Sequence, residues 1–421
     1  MGKRKHLIVG CGPAAISAVK QMRKLGSEDE IRLVTMEKYR PYSPMSLPYL
    51  VSGRAEEKDI WLTGEGFFQE MDATVISGKR VSAVDPRRKR VFFSDGESEG
   101  YDRLLIATGS EPTLQQVLRE AGVQGFHTMD DVPCLLGLEE RSHIAILGAG
   151  FVGLELAVAL ADRRHEVTVI APRERILRRY FDSEVDVYVI ELLRAHGISV
   201  QLSWGEVSTV DRGREGWKAV FGSGKKIEPR MLVAATGVMP RLSCLDGSGI
   251  ELRQGVVVDR TMRSSAPEVF AAGDVAEAQD LLTGKHGLSL IHPTAVEQGK
   301  VAGSNMAGKE AIYAGWLSMN VFNFFGHLAV SLGSSTRLEG DEVLVENDHS
   351  EGRYKRITCR AGCLVGANFF NVEVDGGVLG YLIRNKIPLG PHKELLLRAP
   401  KEAGLWLMME AEKRGTVSLE I

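Results

Sequence analysis

The sequence predicts an α/β protein: two parallel-sheet units, each opened by a strand, a glycine turn and a helix, followed by a smaller α+β segment. Three observations carry that prediction. A glycine turn, Gly10-Cys11-Gly12-Pro13-Ala14-Ala15, follows the apolar run His6-Leu7-Ile8-Val9, and a second, Gly148-Ala149-Gly150-Phe151-Val152-Gly153, follows Ile144-Ala145-Ile146-Leu147. Each is answered further along by an apolar strand ending in a Thr-Gly turn, at Ala107-Thr108-Gly109 and at Ala235-Thr236-Gly237. From about Gly308 onward no glycine turn of this kind recurs, and the pattern changes to mixed strands and helices.

The first turn has the context such a motif needs. Gly10 and Gly12 stand where a side chain would block a tight turn and the approach of backbone to a pyrophosphate, and Ala15 holds the third small position, where helix and strand pack closely. A helix over Ala14 to Leu25 aims its amino end at the same place, which favours an anion there. The next strand, Ile31 to Met36, ends on Glu37 and Lys38, and a carboxylate at that point is placed to accept hydrogen bonds from a ribose diol. The loop Tyr39-Arg40-Pro41-Tyr42-Ser43-Pro44-Met45-Ser46-Leu47-Pro48-Tyr49-Leu50 follows, its three prolines opposing regular helix.

Alternating stretches at Val81 to Phe93 and Val200 to Phe221 read as small antiparallel meanders. Gln115 to Leu138 is weakly patterned. In the second unit a helix over Leu154 to Arg163 precedes the strand Glu166 to Ile170. Val256 to Asp259 and Val269 to Asp274 return to strand, and Pro293 to Met306 forms a helix. The apolar cluster Val321 to Phe325 is expected in the core of the last segment.

Composition excludes several classes. The 421 residues are 44% hydrophobic and 25% charged, with a net charge of −3, so there is no electrostatic case for nucleic acid or an anionic membrane. Five scattered cysteines (11, 134, 244, 359 and 363) suit a reducing compartment better than a disulfide framework, and none has metal-cluster spacing. The most apolar window, Ile144 to Ala161, holds three glycines and Glu155, unlike a membrane span. A cytoplasmic protein is expected.

With these motifs in order, and with Ala272-Gly273-Asp274 after them, the chain resembles the FAD-dependent pyridine nucleotide–disulfide oxidoreductase family over nearly its whole length. The resemblance implies two Rossmann-like domains, with an NAD(P) domain (114–243) inserted in an FAD domain (1–113 and 244–307), and an interface domain over 308–421. It places FAD at Gly10, Gly12, Pro13, Ala14, Ala15, Glu37, Lys38, Ala107, Thr108 and Gly109. It gives Gly273 and Asp274 the ribityl and pyrophosphate region of FAD. The nicotinamide nucleotide falls to Gly148, Gly150, Phe151, Val152, Gly153, Ala235, Thr236 and Gly237. It also aims the amides of Thr294 and Ala295 at the flavin pyrimidine edge, where a positive helix terminus stabilises the charge of reduced flavin. Glu155 is implied to face the cleft, and His292 lies beside the helix start.

One departure decides the expected chemistry. Disulfide-reducing members carry redox cysteine in the loop after the ribose-binding acid, and here Met45 stands at that position. A thioether forms no thiolate and no cycling sulfenate. Disulfide, coenzyme A-disulfide and cysteine-dependent peroxide chemistry are therefore disfavoured, and the candidate catalytic residues become Glu155, Met45 and His292, with no metal. What remains is hydride transfer between nicotinamide C4 and flavin N5, with electrons leaving singly to an iron–sulfur partner. This cysteine-free branch resembles rubredoxin, ferredoxin and nitrite reductase flavoproteins. The Pro-Tyr-Ser-Pro loop and Tyr313 to Asn320 are similar to flavin subunits of 2-oxoacid oxidoreductase complexes of the phenylglyoxylate type. The resemblance thus implies a subunit of a hetero-oligomeric complex, a homodimer being the alternative. A stand-alone reductase, an NADH oxidase and a non-catalytic redox sensor or scaffold are the competing expectations.

The choice of nucleotide is balanced. The acid that would bind the NAD ribose is missing at Ala171, and Arg173 or Arg175 is placed to meet a 2′-phosphate, while Glu174 offers a displaced carboxylate. The residues lean to NADP and the resemblance to NAD; the expectation adopted is NAD.

Overall fold

Gly10 and Gly148 explain why two stretches of unlike sequence fold alike. A Cβ on Gly10 would stand 2.0 Å from the Ala107 carbonyl oxygen, and one on Gly148 would stand 2.2 Å from that of Ala235. Both residues have φ near the same positive value, 115° and 118°, which glycine alone adopts cheaply. The Gly10 amide donates to the Val34 carbonyl and the Gly148 amide to that of Ile170, each at 2.8 Å. The glycine turn is thus pinned between two parallel strands in both cases.

The computed structural model describes residues 2–413 and 415, which divide into two compact units. One is built from Met1–Thr113, His127–Gly137 and Gly237–Trp316; the other from Leu114–Phe126, Leu138–Thr236 and Leu317–Ile421. The stretch from Gln115 to Leu138, unpatterned in sequence, is shared between them. It holds short helices at Gln116–Glu120 and Val132–Leu136 and a two-residue strand, Gln124–Gly125.

The first unit has a five-stranded parallel sheet in the order Val269–Ala271, Arg103–Ile106, Lys5–Val9, Glu30–Thr35, Ala73–Ser77. Three of its strands, Val269–Ala271, Arg103–Ile106 and Lys5–Val9, are largely apolar on both faces, as a sheet covered on both sides requires; Leu7, Ile8, Leu104, Leu105 and Phe270 are fully buried. The first glycine turn opens the helix Pro13–Lys24. Across it lies the helix His292–Met306, whose Gly299 and Gly303 face Ala14 and Ala18 so closely that added Cβ atoms would meet those residues' carbonyl oxygens at 2.2 and 2.6 Å. Arg103 holds the far end of this helix, donating to the carbonyls of Asn305 and Met306 while pairing with Glu268 at 2.6 Å. The loop after Glu37 contains more helix than its prolines suggest. A 3-10 turn at Pro44–Ser46 leads into the helix Leu47–Ser52, because Pro44 and Pro48 occupy opening positions where a missing N–H costs nothing.

The second unit has its own parallel sheet, ordered Ile198–Gln201, Glu166–Ile170, His143–Leu147, Met231–Ala234, Gln124–Gly125. Val200 belongs to this sheet, so the second meander begins only at Val207. The last segment adds a five-stranded antiparallel sheet, ordered Met319–Phe324, His327–Gly333, Cys363–Phe370, Arg353–Arg360, Glu342–Asp348, with helices at Gly376–Arg384, Lys393–Arg398 and Pro400–Lys413. The Val321–Phe325 cluster alternates: Phe322 and Phe324 are buried, while Val321 is exposed. Among the described residues no helix is long and apolar enough to cross a membrane.

The glycine contacts yield a contrast. Gly299→Ala must push two helices apart against backbone and should cost about 1–3 kcal/mol, whereas Gly380→Ala, where a Cβ meets nothing within 4 Å inside Gly376–Arg384, should stabilise by about 0.5–1 kcal/mol. Thermal melts of both variants check the difference in sign.

Candidate functional site

In the first unit the turn and its helix leave an anion site open. A Cβ on Gly12 meets nothing within 4 Å, so the turn presents bare backbone. The helix Pro13–Lys24 has no side-chain cap and no acid in its first turn, so its leading amides await an outside acceptor. Ala14 and Ala15 are buried beneath it. Glu37 and Lys38 follow the second strand, Lys38 exposed and Glu37 half-buried. The Tyr42 hydroxyl donates to Glu37 Oε2 at 2.6 Å and accepts from the Met129 amide at 3.0 Å. With its acceptor lone pair engaged by that amide, the hydroxyl proton points at the carboxylate, fixing one oxygen and leaving Oε1 to a ligand. This link, between segments 87 residues apart, was not foreseen in sequence, where Tyr42 is one aromatic in a proline loop.

Across the same sheet, Ala107 is bonded back to Val9, and the Thr108 hydroxyl donates to the Arg241 carbonyl at 2.9 Å, with the Arg241 amide returning to Gly109 at 3.0 Å. Arg241 thereby brings a guanidinium beside Met36 and Glu111. Asp274 accepts from the Ser110 hydroxyl at 2.7 Å; burial pushes its carboxyl above the usual range, against the pull of Ser110 and of nearby His127. His127 is held by the Ser110 carbonyl at 3.0 Å, and burial lowers its pKa, favouring the neutral ring. Gly273 has its amide tied to the Gln298 side chain at 2.9 Å, and a Cβ there would stand 3.1 Å from that of Ala14. Neither Arg241 nor His127 carries a sequence signal, since each depends on chain returning from far away.

At the start of the helix His292–Met306, Thr294 and Ala295 are buried. The Ala295 amide already donates to the Ile291 carbonyl at 3.1 Å, and the Thr294 hydroxyl shares a hydrogen bond with Ser289 at 3.0 Å. His292 Nδ1 lies 3.2 Å from the Ser43 hydroxyl, which joins the helix start to the loop carrying Met45. Burial alone lowers the His292 pKa. Met45 is 57% exposed, a thioether open to the surface of this unit. Four of the five cysteines do not compensate for it. Burial and the neighbouring Glu37 push the Cys11 thiol up to about 12, burial pushes Cys244 and Cys359 to about 11, and Cys134 is also raised, so these four are protonated at neutral pH.

The second unit repeats the open turn. The helix Phe151–Asp162 begins at Gly150 with no side-chain cap and no acid in its first turn. A Cβ on Gly153 would strike the Gly148 carbonyl oxygen at 2.2 Å and approach the Ala235 methyl at 3.3 Å, so helix and strand meet as closely as backbone allows. The Ala235 amide donates to Leu147 at 2.8 Å, setting the strand that leads to Thr236 and Gly237. Val152 is exposed, while Phe151 packs against Tyr180 at 4.7 Å and Phe322 at 6.0 Å between ring centres. Among the described residues no opposite charge supports Glu155, and burial raises its carboxyl to about 7.

Past the strand Glu166–Ile170, Ala171 is only 2% exposed. The two arginines that follow have different fates. Arg175 pairs with Asp186 through Nε at 2.6 Å and Nη2 at 3.3 Å and donates to the Phe181 carbonyl at 2.8 Å, whereas Arg173 and Glu174 are exposed.

These residues fit two dinucleotides, FAD and a nicotinamide nucleotide: two bare turns, two uncapped helix ends and one carboxylate with an oxygen to spare. Comparison with known proteins agrees. The family model described as pyridine nucleotide-disulphide oxidoreductase matches residues 4–299. Subunit epsilon of the NADH-dependent phenylglyoxylate dehydrogenase of Aromatoleum evansii is 34% identical over 96% of this chain and 97% of its own. Rubredoxin-NAD(+) reductase of Pseudomonas putida is 31% identical over 72% of this chain and 80% of its own. Among solved structures, the covalent putidaredoxin reductase–putidaredoxin complex superposes with a TM-score of 0.85, at 21% identity, over 95% of this chain and 100% of that one. The chain belongs to the pyridine nucleotide-disulphide oxidoreductase family and is an NAD(P)H-dependent flavin oxidoreductase.

Proposed function

We propose that this chain passes electrons between a nicotinamide nucleotide and an iron–sulfur protein, as the flavin subunit of a 2-oxoacid oxidoreductase complex. The observation that carries the reading is the pairing of two open dinucleotide turns with a loop that presents Met45 where disulfide chemistry needs a thiolate. The likeness to the epsilon subunit of phenylglyoxylate dehydrogenase, spanning nearly all of both chains, supports the choice of complex. FAD, when bound, supplies the exchange between two-electron and one-electron chemistry.

The chain's own residues then bind and orient. Glu37, steadied by Tyr42, takes the adenosine ribose, the first helix terminus takes the pyrophosphate, and Asp274 takes the ribityl side. The start of His292–Met306 offers the positive end of its dipole. Glu155, poised near neutrality, holds a proton for a carboxamide oxygen in its acid form and accepts from an amide in its ionised form.

Three outcomes test this. The FAD-loaded chain should reduce a one-electron acceptor, benzyl viologen or a ferredoxin, with NADH or NADPH; reduction confined to disulfides or to oxygen would overturn the proposal. Alkylation by N-ethylmaleimide under native conditions should leave that activity unchanged, and inactivation that tracks one modified cysteine would count against it. The sign of the Glu155 effect follows from its raised pKa: the folded form holds the proton more tightly than the unfolded chain, so this residue erodes stability as pH rises from about 4.5 to about 7. Glu155→Gln should flatten the fall in melting temperature across that window and remove an apparent pKa near 7 from the pH profile of nucleotide-dependent kcat/KM.

A further inference from the structure

We infer that the tip of the first unit's meander, Arg87-Arg88-Lys89-Arg90, is where an acidic electron partner is caught: an iron–sulfur protein steered onto cations that the chain itself leaves uncompensated. The inference rests on the reading of this chain as an electron-transfer flavoprotein and adds the surface its partner uses.

The meander is built from the strands Val81–Asp85, Arg90–Phe93 and Ser98–Gly100, and residues 86–89 form the turn between the first two. Arg87, Arg88, Lys89 and Arg90 are all exposed. The turn is fixed from within. Asp85 Oδ1 accepts from the amides of Arg87 and Arg88, each at 3.0 Å. The Lys89 amide donates to the Pro86 carbonyl at 3.4 Å, and the Lys89 carbonyl accepts from the Tyr101 amide at 3.1 Å.

Little negative charge answers these cations. The second oxygen of Asp85 lies 3.6 Å from Arg88 Nε, a loose pair at the surface. Arg90 donates to the hydroxyl and the carbonyl of Ser98, neutral acceptors that leave its charge standing. Among the described residues the side chains of Arg87 and Lys89 have no hydrogen-bonded or ionic partner. Glu99, on the neighbouring strand, is taken by Lys5 and Arg32. Elsewhere the chain pairs such groups. At the other end of the same meander Lys79 meets Asp95 and Glu97, and on the second unit's meander Lys218 meets Glu228 at 2.8 Å. The tip is thus a local surplus of positive charge on a chain whose net charge is −3.

A second observation is conformational. Lys89 has a φ of 52°, in the left-handed region where a Cβ is penalised and glycine or asparagine is the ordinary occupant. Four like charges in a row add repulsion to that strain. Stability alone favours another residue at 89, so the cation is held there against the preference of the backbone.

A one-electron partner must meet, exchange and leave, so its contact is small and its rate is set by encounter. Charge steers such an encounter across a Debye length without a large apolar face. Other polyanions fit this tip less well. A membrane needs apolar groups beside the cations, and among the described residues no large apolar side chain of the meander is exposed. Single-stranded nucleic acid needs open rings to stack on, and Phe93 and Tyr101 are buried.

Rubredoxin, a small acidic iron–sulfur protein, and cytochrome c, a basic haem protein, are the probes, used with the FAD-loaded chain and NADH. The kcat/KM for rubredoxin should fall about tenfold as ionic strength rises from about 0.01 to about 0.15 M, the Debye length shrinking from about 30 to about 8 Å. Arg87→Glu combined with Lys89→Glu should lower the low-salt value about tenfold, flatten its salt dependence and speed cytochrome c reduction, leaving flavin bleaching by NADH unchanged. Lys89→Gly should raise the melting temperature by about 1–3 °C while lowering the rubredoxin value about twofold, a gain in stability coupled to a loss of docking that a merely solvated turn does not show. Rubredoxin kinetics indifferent to salt or to the charge reversal would overturn the inference. So would binding of phosphatidylserine vesicles or single-stranded DNA that the reversal abolishes while rubredoxin kinetics stand still. Failure of rubredoxin as an acceptor where benzyl viologen is reduced would overturn the docking surface alone; failure of both would overturn the electron-transfer reading along with it.

Discussion

The contact on which the first unit depends is backbone against backbone, where Gly299 and Gly303 let the helix His292–Met306 lie directly on Ala14 and Ala18. No side chain is interposed, so the two helices have little room to adjust, and the position of one fixes the other. Since one of them opens at the first glycine turn, the start of the second is placed by the same contact that places the turn. Arg103 secures the opposite end by donating to the carbonyls of Asn305 and Met306, so both ends of the helix are determined. A frame assembled from residues nearly three hundred positions apart in sequence needs this kind of rigidity, because loops alone would not hold it.

Most of this frame is legible from sequence for a physical reason. A glycine turn is a local demand: Gly10, Gly148 and Gly153 are required by atoms a few residues away or by the strand answering them, and the apolar runs announce both parallel sheets. The likeness of the two turns is visible as text before it is visible as geometry. What sequence withholds is what chain return creates. Tyr42 steadies Glu37 only because Met129 comes back to it, His127 and Arg241 meet Asp274 and Thr108 from distant segments, and Gln115–Leu138 has no pattern of its own because its parts serve different units. The two arginines after Ala171 look equivalent as letters. Only the position of Asp186, on the helix Ser183–Ala195, separates a structural cation from an available one.

The chemistry follows from what is withheld as much as from what is supplied. Thiols whose pKa is raised by burial serve as small apolar groups, and Met45 at the surface keeps the loop apolar without making it reactive. The acids differ in what surrounds them: Glu37 accepts from a phenol, the Asp274 carboxyl is raised by burial against the pull of Ser110 and His127, and that of Glu155 is raised by burial alone.

The ring of Phe151 opens the second fingerprint helix, yet it is packed by Phe322 from the last segment, and the Tyr180 carbonyl and Asp182 carboxylate beside it are held by Ser331, Asn368, Tyr354 and Arg356. The closing sheet is therefore part of the wall behind the second glycine turn, sharing hydrogen bonds and aromatic surface with the segment that follows it. Any hybrid that borrows this sheet from a relative inherits half of that wall, and would have to bring the matching aromatic and acidic residues of the nucleotide unit along with it.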